Sequence, residues 1–249
     1  MPGLDWLTAR PLAHRGLHDN TAGPIENTAD AFAAALAAGY GIECDIQISA
    51  DGEALVHHDD ALGRLTDGLG KLSEMSAAAL RAVAFKAGGG THMLTLGELC
   101  DLVAGRVALL IELKSRFDGD LRLAERASTV LAGYAGPAAL MSFDPAPIEA
   151  LRVTAPHLVR GMVAERSYAH AEWNALTRVQ KFRLAHLLHA PRTRPQFLAY
   201  AVNDLPAAAP FLARTVLGLP VLTWAVRTET ERRIAARWAD QMIFEGFRP

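Results

Sequence analysis

The sequence predicts a (β/α)8 TIM barrel, and three observations predict it. Short apolar runs alternate with helical segments, and eight of the runs read as barrel strands. The length of 249 residues is typical of one such barrel. A doubly wound sheet has the same alternation, but no Gly-rich dinucleotide fingerprint follows the first strand.

The elements follow in order. A short apolar run at 11–14 is the first strand. Asn27 is the expected N-cap of a helix over 28–38, in which Phe32, Ala35, Leu36 and Gly39 keep helical spacing. Gly39 suits the C-cap. Residues 42–49 alternate, with Ile42, Cys44, Ile46 and Ile48 on one face and Glu43, Asp45 and Gln47 on the other. Asp51-Gly52 turns the chain, and 53–58 returns as a hairpin partner. An apolar core does not tolerate two carboxylates on one strand face unless something pairs with them.

Residues 60–92 read as a small insertion after the second strand. It holds polar turns at Thr66-Asp67-Gly68 and Gly88-Gly89-Gly90 and a short helix near 76–83. Thr95-Leu96-Gly97-Glu98 is a capping box that opens a helix to 104. Residues 107–113 form a buried strand carrying Glu112, and Lys114 follows on the same face. The rhythm is then regular: helix 118–131, strand 138–142, helix 145–154, strand 158–163, and a longer His-bearing helical region to about 189. Strands near 197–202, 221–226 and 241–245 are separated by helices near 205–217 and 229–239. No linker or short-period repeat divides the chain, so 1–249 reads as one domain.

Composition narrows the class. The chain is 51% hydrophobic and 21% charged, with a net charge of -2, so no basic excess argues for a nucleic-acid partner. The N-terminus lacks the basic and apolar regions of a signal peptide, and no apolar run reaches membrane-spanning length. Cys44 and Cys100 make neither a disulfide framework nor a zinc pattern. A cytoplasmic protein without stable membrane insertion is the expectation.

A (β/α)8 barrel carries its active site at the C-terminal ends of its strands. His14-Arg15 ends the first strand, Glu43 and Asp45 lie on the second, His58 ends its hairpin partner, and Glu112 and Lys114 end the third. Three carboxylates make a hard-oxygen site suited to a divalent metal ion, Mg2+ or Ca2+. Arg15 and Lys114 supply positive charge suited to a phosphate. Two histidines beside such a site suit proton transfer to and from phosphoester oxygens. The set describes metal-assisted phosphodiester cleavage. Each residue also has a plain reading: a structural histidine, a solvated hairpin face, a surface Glu–Lys pair. Their coincidence on one rim favours function. His57 and His58 alternate, so one faces inward. His92, His157, His170, His186 and His189 carry no motif and read as surface or helix-packing residues, while His18 follows the first motif closely enough to line the cleft.

At these residues the chain resembles the glycerophosphodiester phosphodiesterase family. The match runs through His14-Arg15-Gly16, Glu26-Asn27-Thr28, Ile42-Glu43-Cys44-Asp45, Asp51-Gly52, His58-Asp59 and Ile111-Glu112-Leu113-Lys114, and it weakens after about Ser142. The resemblance implies a (β/α)8 barrel with a small insertion. It also implies metal-dependent hydrolysis of small glycerophosphodiesters to sn-glycerol 3-phosphate and an alcohol. By resemblance, His14 and His58 are the acid/base pair. Glu43, Asp45 and Glu112 are metal ligands, Arg15 and Lys114 phosphate contacts, and Trp224 part of the substrate cleft. Glu26 would hold the first motif in place. Two departures stand out: Ile25 where the family usually has proline, and a last strand reading Ile243-Phe244-Glu245-Gly246 where many members have Thr-Asp, with Glu245 the candidate substitute for that aspartate. Two further readings are a lysophospholipase D-type activity on lipid substrates and a non-catalytic phosphate-binding barrel.

Overall fold

The structure is a computed structural model that describes residues 3–19, 21, 23–86 and 91–249. Among the described residues nine strands form one sheet: β1 (Leu12–Ala13), β2 (Gly41–Ile48), β3 (Ala54–Val56), β4 (Leu109–Leu113), β5 (Ala138–Ser142), β6 (Val159–Ala164), β7 (Phe197–Ala201), β8 (Val221–Val226) and β9 (Gln241–Phe244). All except β3 run parallel, and β1 pairs with both β2 and β9, so the sheet closes into the expected eight-stranded barrel. The start of β2 pairs with β1 and its end pairs antiparallel with β3. Among the described residues no helix is long and apolar enough to cross a membrane.

Strand alternation divides the core in two. Ile42, Cys44, Ile46 and Ile48 of β2 and Leu109 and Ile111 of β4 join the layer between barrel and helices. The intervening residues point inward. Leu12, Leu110, Met141, Val163, Leu222 and Ile243 form a separate interior cluster, joined by Leu7 from the first short helix. Phe197 fills this interior only because Gly161 has no side chain: a Cβ there would lie 2.4 Å from the ring. Each fully buried Leu or Ile contributes on the order of 1.5–3 kcal/mol by leaving water.

Several boundaries differ from the sequence pattern, each for a local reason. Asn27 is not the N-cap of the helix Ala29–Ala38; that position belongs to Thr28, and the Asn27 side chain binds Asp45 instead. The helix expected from 118 begins at Arg122, because Asp118 and Asp120 accept the backbone N–H groups of Asp120 and Arg122 and hold a turn. The helix expected from 205 begins at Ala208; Leu205, preceding a proline, is extended. The long helical region breaks into a 3-10 turn (Ala171–Trp173) and helices Arg178–Ala185 and Ala190–Thr193.

The described residues between β3 and the helix Leu96–Val103 contribute no barrel strand. Leu62, Leu72, Leu80 and Phe85 pack there with Ile25, Leu55 and Met93 in an apolar cluster of their own. The expected turn at Gly88-Gly89-Gly90 lies outside the described residues.

His189 is buried in the outer layer, and burial, then the neighbouring Arg183 charge, lower its pKa from about 6.5 to about 4. Between those values the unfolded chain binds a proton that the folded chain does not. Stability is therefore expected to fall as pH drops from 6.5 to 4 and to level off below. The loss from this one group is at most about 3 kcal/mol. Denaturant unfolding of wild type and His189→Leu across that range checks it: the variant should show a shallower slope.

Candidate active site

Register between neighbouring strands builds the site. Asp45 of β2 sits opposite Glu112 of β4. Ala13 of β1 sits opposite Ile42 on one side and Phe244 on the other, so the next residue, His14, emerges between Glu43 and Glu245. Ligand oxygens of Glu43, Asp45 and Glu112 lie within 4.8 Å of one another, and all three residues are buried.

Three buried carboxylates cannot share this space without compensation. Lys114 Nζ donates to Asp45 Oδ1 at 2.9 Å and to Glu112 Oε1 at 2.7 Å. Arg15 Nε lies 3.3 Å from Asp45 Oδ2, which also accepts from Asn27 Nδ2 at 2.9 Å. Burial alone would push the Asp45 carboxyl up, but Lys114, Arg15 and the two site histidines hold it well below its ordinary range. Glu43 goes the other way: burial, reinforced by the Asp45 and Glu112 charges, raises it well above its ordinary value. A cation among the three carboxylates would relieve this frustration, so the donor set fits a hard divalent ion.

Each site histidine has its Nδ1 tied to a carboxylate. His14 Nδ1 donates to Glu245 Oε2 at 2.8 Å, and His58 Nδ1 donates to Asp59 Oδ1 at 2.8 Å. A carboxylate only accepts, so Nε2 is the ring atom left for chemistry in both. His14 Nε2 lies 4.0 Å from Glu43 Oε2. Burial, outweighing the opposing Glu245 hydrogen bond, lowers the His14 pKa to about 4, and Glu245 is depressed to about 2, chiefly by that bond. Arg227 Nη2 donates to the same Glu245 oxygen at 2.9 Å. His57 is buried, with its backbone N–H on the Asp45 carbonyl, and does not border the cavity.

A clamp joins the two halves. Arg64, from the segment after β3, donates to Glu26 at 2.6 and 3.2 Å and to Asp59 at 2.6 and 3.2 Å. Glu26 also accepts from Arg15 Nη1 at 2.8 Å. One guanidinium thus bears on the partners of both Arg15 and His58. The backbone pays attention to the same point: Arg15 and Asn27 both sit at φ 57°, and the Asn27 N–H binds the Arg15 carbonyl at 2.9 Å. Gly16 is required beside them, since a Cβ would lie 2.8 Å from the Ala31 backbone.

A cavity of about 290 Å³ gathers His14, Arg15, Glu43, His58, Glu112, Lys114 and Trp224. Asp45 lies beneath it, bound to Lys114 and Asn27. Trp224 is fixed by its indole N–H on the Ala199 carbonyl at 3.0 Å. Glu165, His170, Glu172 and Arg227 line the same cavity. His170 is therefore a cleft residue as well as an exposed one, a role its sequence neighbourhood does not signal. Arg64 and Arg227 likewise have no signal in the sequence, and Asn27 reads there as a helix cap rather than as a partner of Asp45. Asn27 carried a signal, the Glu-Asn-Thr motif, but helix capping explained it equally well.

Sequence comparison gives a family match over residues 14–247, to the glycerophosphoryl diester phosphodiesterase family. The chain belongs to that family. A Mycobacterium tuberculosis protein named "Probable glycerophosphodiester phosphodiesterase 1" is 36% identical over 103 residues, covering 37% of this chain and 36% of that protein. The match thus spans about a third of that relative's length. A glycerophosphodiester phosphodiesterase of Caldanaerobacter subterraneus is 28% identical over 182 residues, 70% of this chain and 73% of the relative. An Oleispira antarctica phosphodiesterase, solved in complex with the product sn-glycerol-3-phosphate, superposes with a TM-score of 0.75 at 20% identity, over 96% of this chain and 94% of that one. At that identity the likeness is one of fold.

The clamp makes a measurable prediction. Removing Arg64 leaves the buried Glu26 carboxylate with less compensation, while solvent at the half-exposed guanidinium screens part of the loss. Arg64→Met should destabilise by about 1 kcal/mol. In a double-mutant cycle with Glu26→Gln, the two losses should not add. Denaturant unfolding of the four proteins checks this, and full additivity would break the clamp.

Proposed function

We propose that the chain hydrolyses glycerophosphodiesters to sn-glycerol 3-phosphate and an alcohol, with a divalent metal ion as cofactor. One observation carries this reading: two imidazoles, each with Nδ1 on a carboxylate, share a cavity with a buried carboxylate trio and two flanking cations.

Glu43, Asp45 and Glu112 would hold the ion, which when bound supplies Lewis-acid stabilisation of phosphoryl charge. Arg15 and Lys114 border the same space and suit the phosphate oxygens. Lys114 bonds Asp45 and Glu112; with those carboxylates engaged by an ion, its ammonium would be free to meet a phosphate oxygen. His14, kept neutral by burial, presents Nε2 to accept a proton from the attacking nucleophile, water or the substrate's own neighbouring hydroxyl. His58, as its imidazolium beside the Asp59 carboxylate, gives its proton to the leaving alcohol oxygen as the P–O bond breaks; where the hydroxyl attacks, water then opens the cyclic phosphate, losing a proton to His58 while His14 returns its own to the glycerol oxygen. Trp224 borders the cavity as an apolar wall.

The direct test is release of sn-glycerol 3-phosphate from a panel of glycerophosphodiesters, with and without chelator. Activity should vanish on chelation and return with Mg2+ or Ca2+; full activity after exhaustive chelation would falsify the metal reading. At a metal concentration a hundred times its dissociation constant, the folded state should gain about 2.7 kcal/mol, visible as a higher melting temperature. Glu112→Gln should lose most of that gain.

His58→Ala should lower turnover by roughly two to four orders of magnitude, the scale of a general acid/base, and His57→Ala far less. Steady-state kinetics on both variants decides between adjacent histidines. Equal losses would reverse the assignment. Lys114→Met should weaken transition-state stabilisation by on the order of 2–4 kcal/mol at saturating metal. Intact metal-saturated turnover would confine Lys114 to charge compensation.

A further inference from the structure

The end of the barrel opposite the catalytic rim holds two arginines that no carboxylate answers. Arg160 is the second residue of β6, and Glu165, which borders the active-site cavity, lies five residues further on. At the rise of an extended strand that separation is about 16 Å. Arg152 lies in the last turn of the helix Pro145–Thr154, which precedes β6 and packs on it.

Strand alternation turns Arg160 outward. Met162, two residues on, belongs to the layer between barrel and helices, and Gly161 between them faces the interior ring of Phe197. Arg160 is thus set into an apolar layer and is only 8% exposed. Its hydrogen-bond partners are neutral. Nη1 donates to Gln196 Oε1 at 3.3 Å and, at a long 3.5 Å, to the Leu158 carbonyl. The same Gln196 oxygen also accepts the Arg160 backbone N–H at 3.2 Å, so it is shared. Arg160 Nε is buried with no hydrogen-bond partner.

Arg152 adds to the burden. It is half-buried, its Nε also has no hydrogen-bond partner, and it forms no ion pair with a described residue. Glu149, three residues before it on the same helix, is taken by Arg192 at 2.7 Å. Burial, then the Arg152 charge, lowers the Arg160 pKa from its ordinary value. A guanidinium still keeps its proton at neutral pH. Two like charges therefore lie close enough to repel, one of them nearly out of water, at a cost that no described residue offsets. Arg15, by contrast, has Glu26 and Asp45.

The chemical complement of such a pair is an oxyanion. Guanidinium groups present planar N–H forks that match the oxygens of a phosphate, and one doubly charged group answers both arginines at once. A halide matches neither the fork nor the charge.

We propose that Arg152 and Arg160 form an anion site remote from the catalytic rim, taking a tetrahedral oxyanion, either inorganic phosphate or the phosphate group of a monoester. The assignment goes beyond the hydrolase reading and does not depend on it, since its test is binding and not turnover.

Thermal unfolding is followed while inorganic phosphate, and separately sn-glycerol 3-phosphate, replaces chloride at constant ionic strength. Wild type should gain melting temperature with a saturable dependence, as for any ligand of the folded state. Lys114→Met, which weakens phosphate contacts at the catalytic rim, should keep that gain. Arg152→Gln and Arg160→Met should each need at least about tenfold more anion for the same gain, the scale of one lost charged hydrogen bond. In chloride alone Arg160→Met should melt no lower than wild type, because it removes a buried charge without orphaning a partner charge. The probe with the lower Kd identifies the ligand as the free oxyanion or the monoester. A gain that is absent from wild type, abolished by Lys114→Met, or kept in full by either arginine variant overturns the site. A large drop in the melting temperature of Arg160→Met in chloride overturns the charge argument on which it rests.

Discussion

Three carboxylates buried at one end of a barrel repel one another, and much of the local structure answers that repulsion. Register places Asp45 against Glu112 and leaves Glu43 one step below on the same inward face. Lys114, two residues beyond Glu112, reaches both of its neighbours because strand alternation returns it to that face. Arg15 and Asn27 complete the shell from the loop after β1 and from the turn before the first barrel helix. Even so, Glu43 is held far above its ordinary pKa. The donor set that results, three buried carboxylates with only part of their charge offset, suits a hard divalent cation.

The histidines depend on the same frame. His14 emerges between two strands, and its two ring nitrogens face carboxylates from both of them. Glu245 reaches Nδ1, and Arg227 donates to the same carboxylate oxygen. His58 is steadied from outside the barrel: Asp59 orients it, and Arg64 ties Asp59 to Glu26 and so to Arg15. The segment after β3 thus adds a guanidinium that couples two loops the barrel alone leaves independent.

Part of the backbone strain lies beside the site. Arg15 borders the cavity at positive φ and Asn27, also at positive φ, binds Asp45, whereas Ala104 and Arg194 take up that conformation at helix ends. Each costs on the order of 1 kcal/mol or more, and each is held by contacts that over-determine it. The apolar layers beneath supply the stability that offsets this, through strands buried on both faces.

How much of this was legible in the sequence depends on distance along the chain. The alternation of Ile42, Cys44, Ile46 and Ile48 against Glu43, Asp45 and Gln47 announced both a strand and its charged face, because side-chain direction in a strand has a period of two. The same rule linked Glu112 to Lys114, and repeated strand–helix spacing foretold the barrel. Local signals failed where two local explanations competed. Asn27 fits a helix cap as well as a carboxylate partner, and only the closing of the loop onto β2 decides between them. They were silent where a contact joins distant segments. Nothing near Arg64 points to Glu26, and nothing near Phe117, Phe143 or Trp173 says that three loops meet in one wall. Those pairings are set by barrel closure, which fixes which strand ends become neighbours. The sequence by itself determined which residues could do chemistry; the tertiary structure alone decided which of them touch.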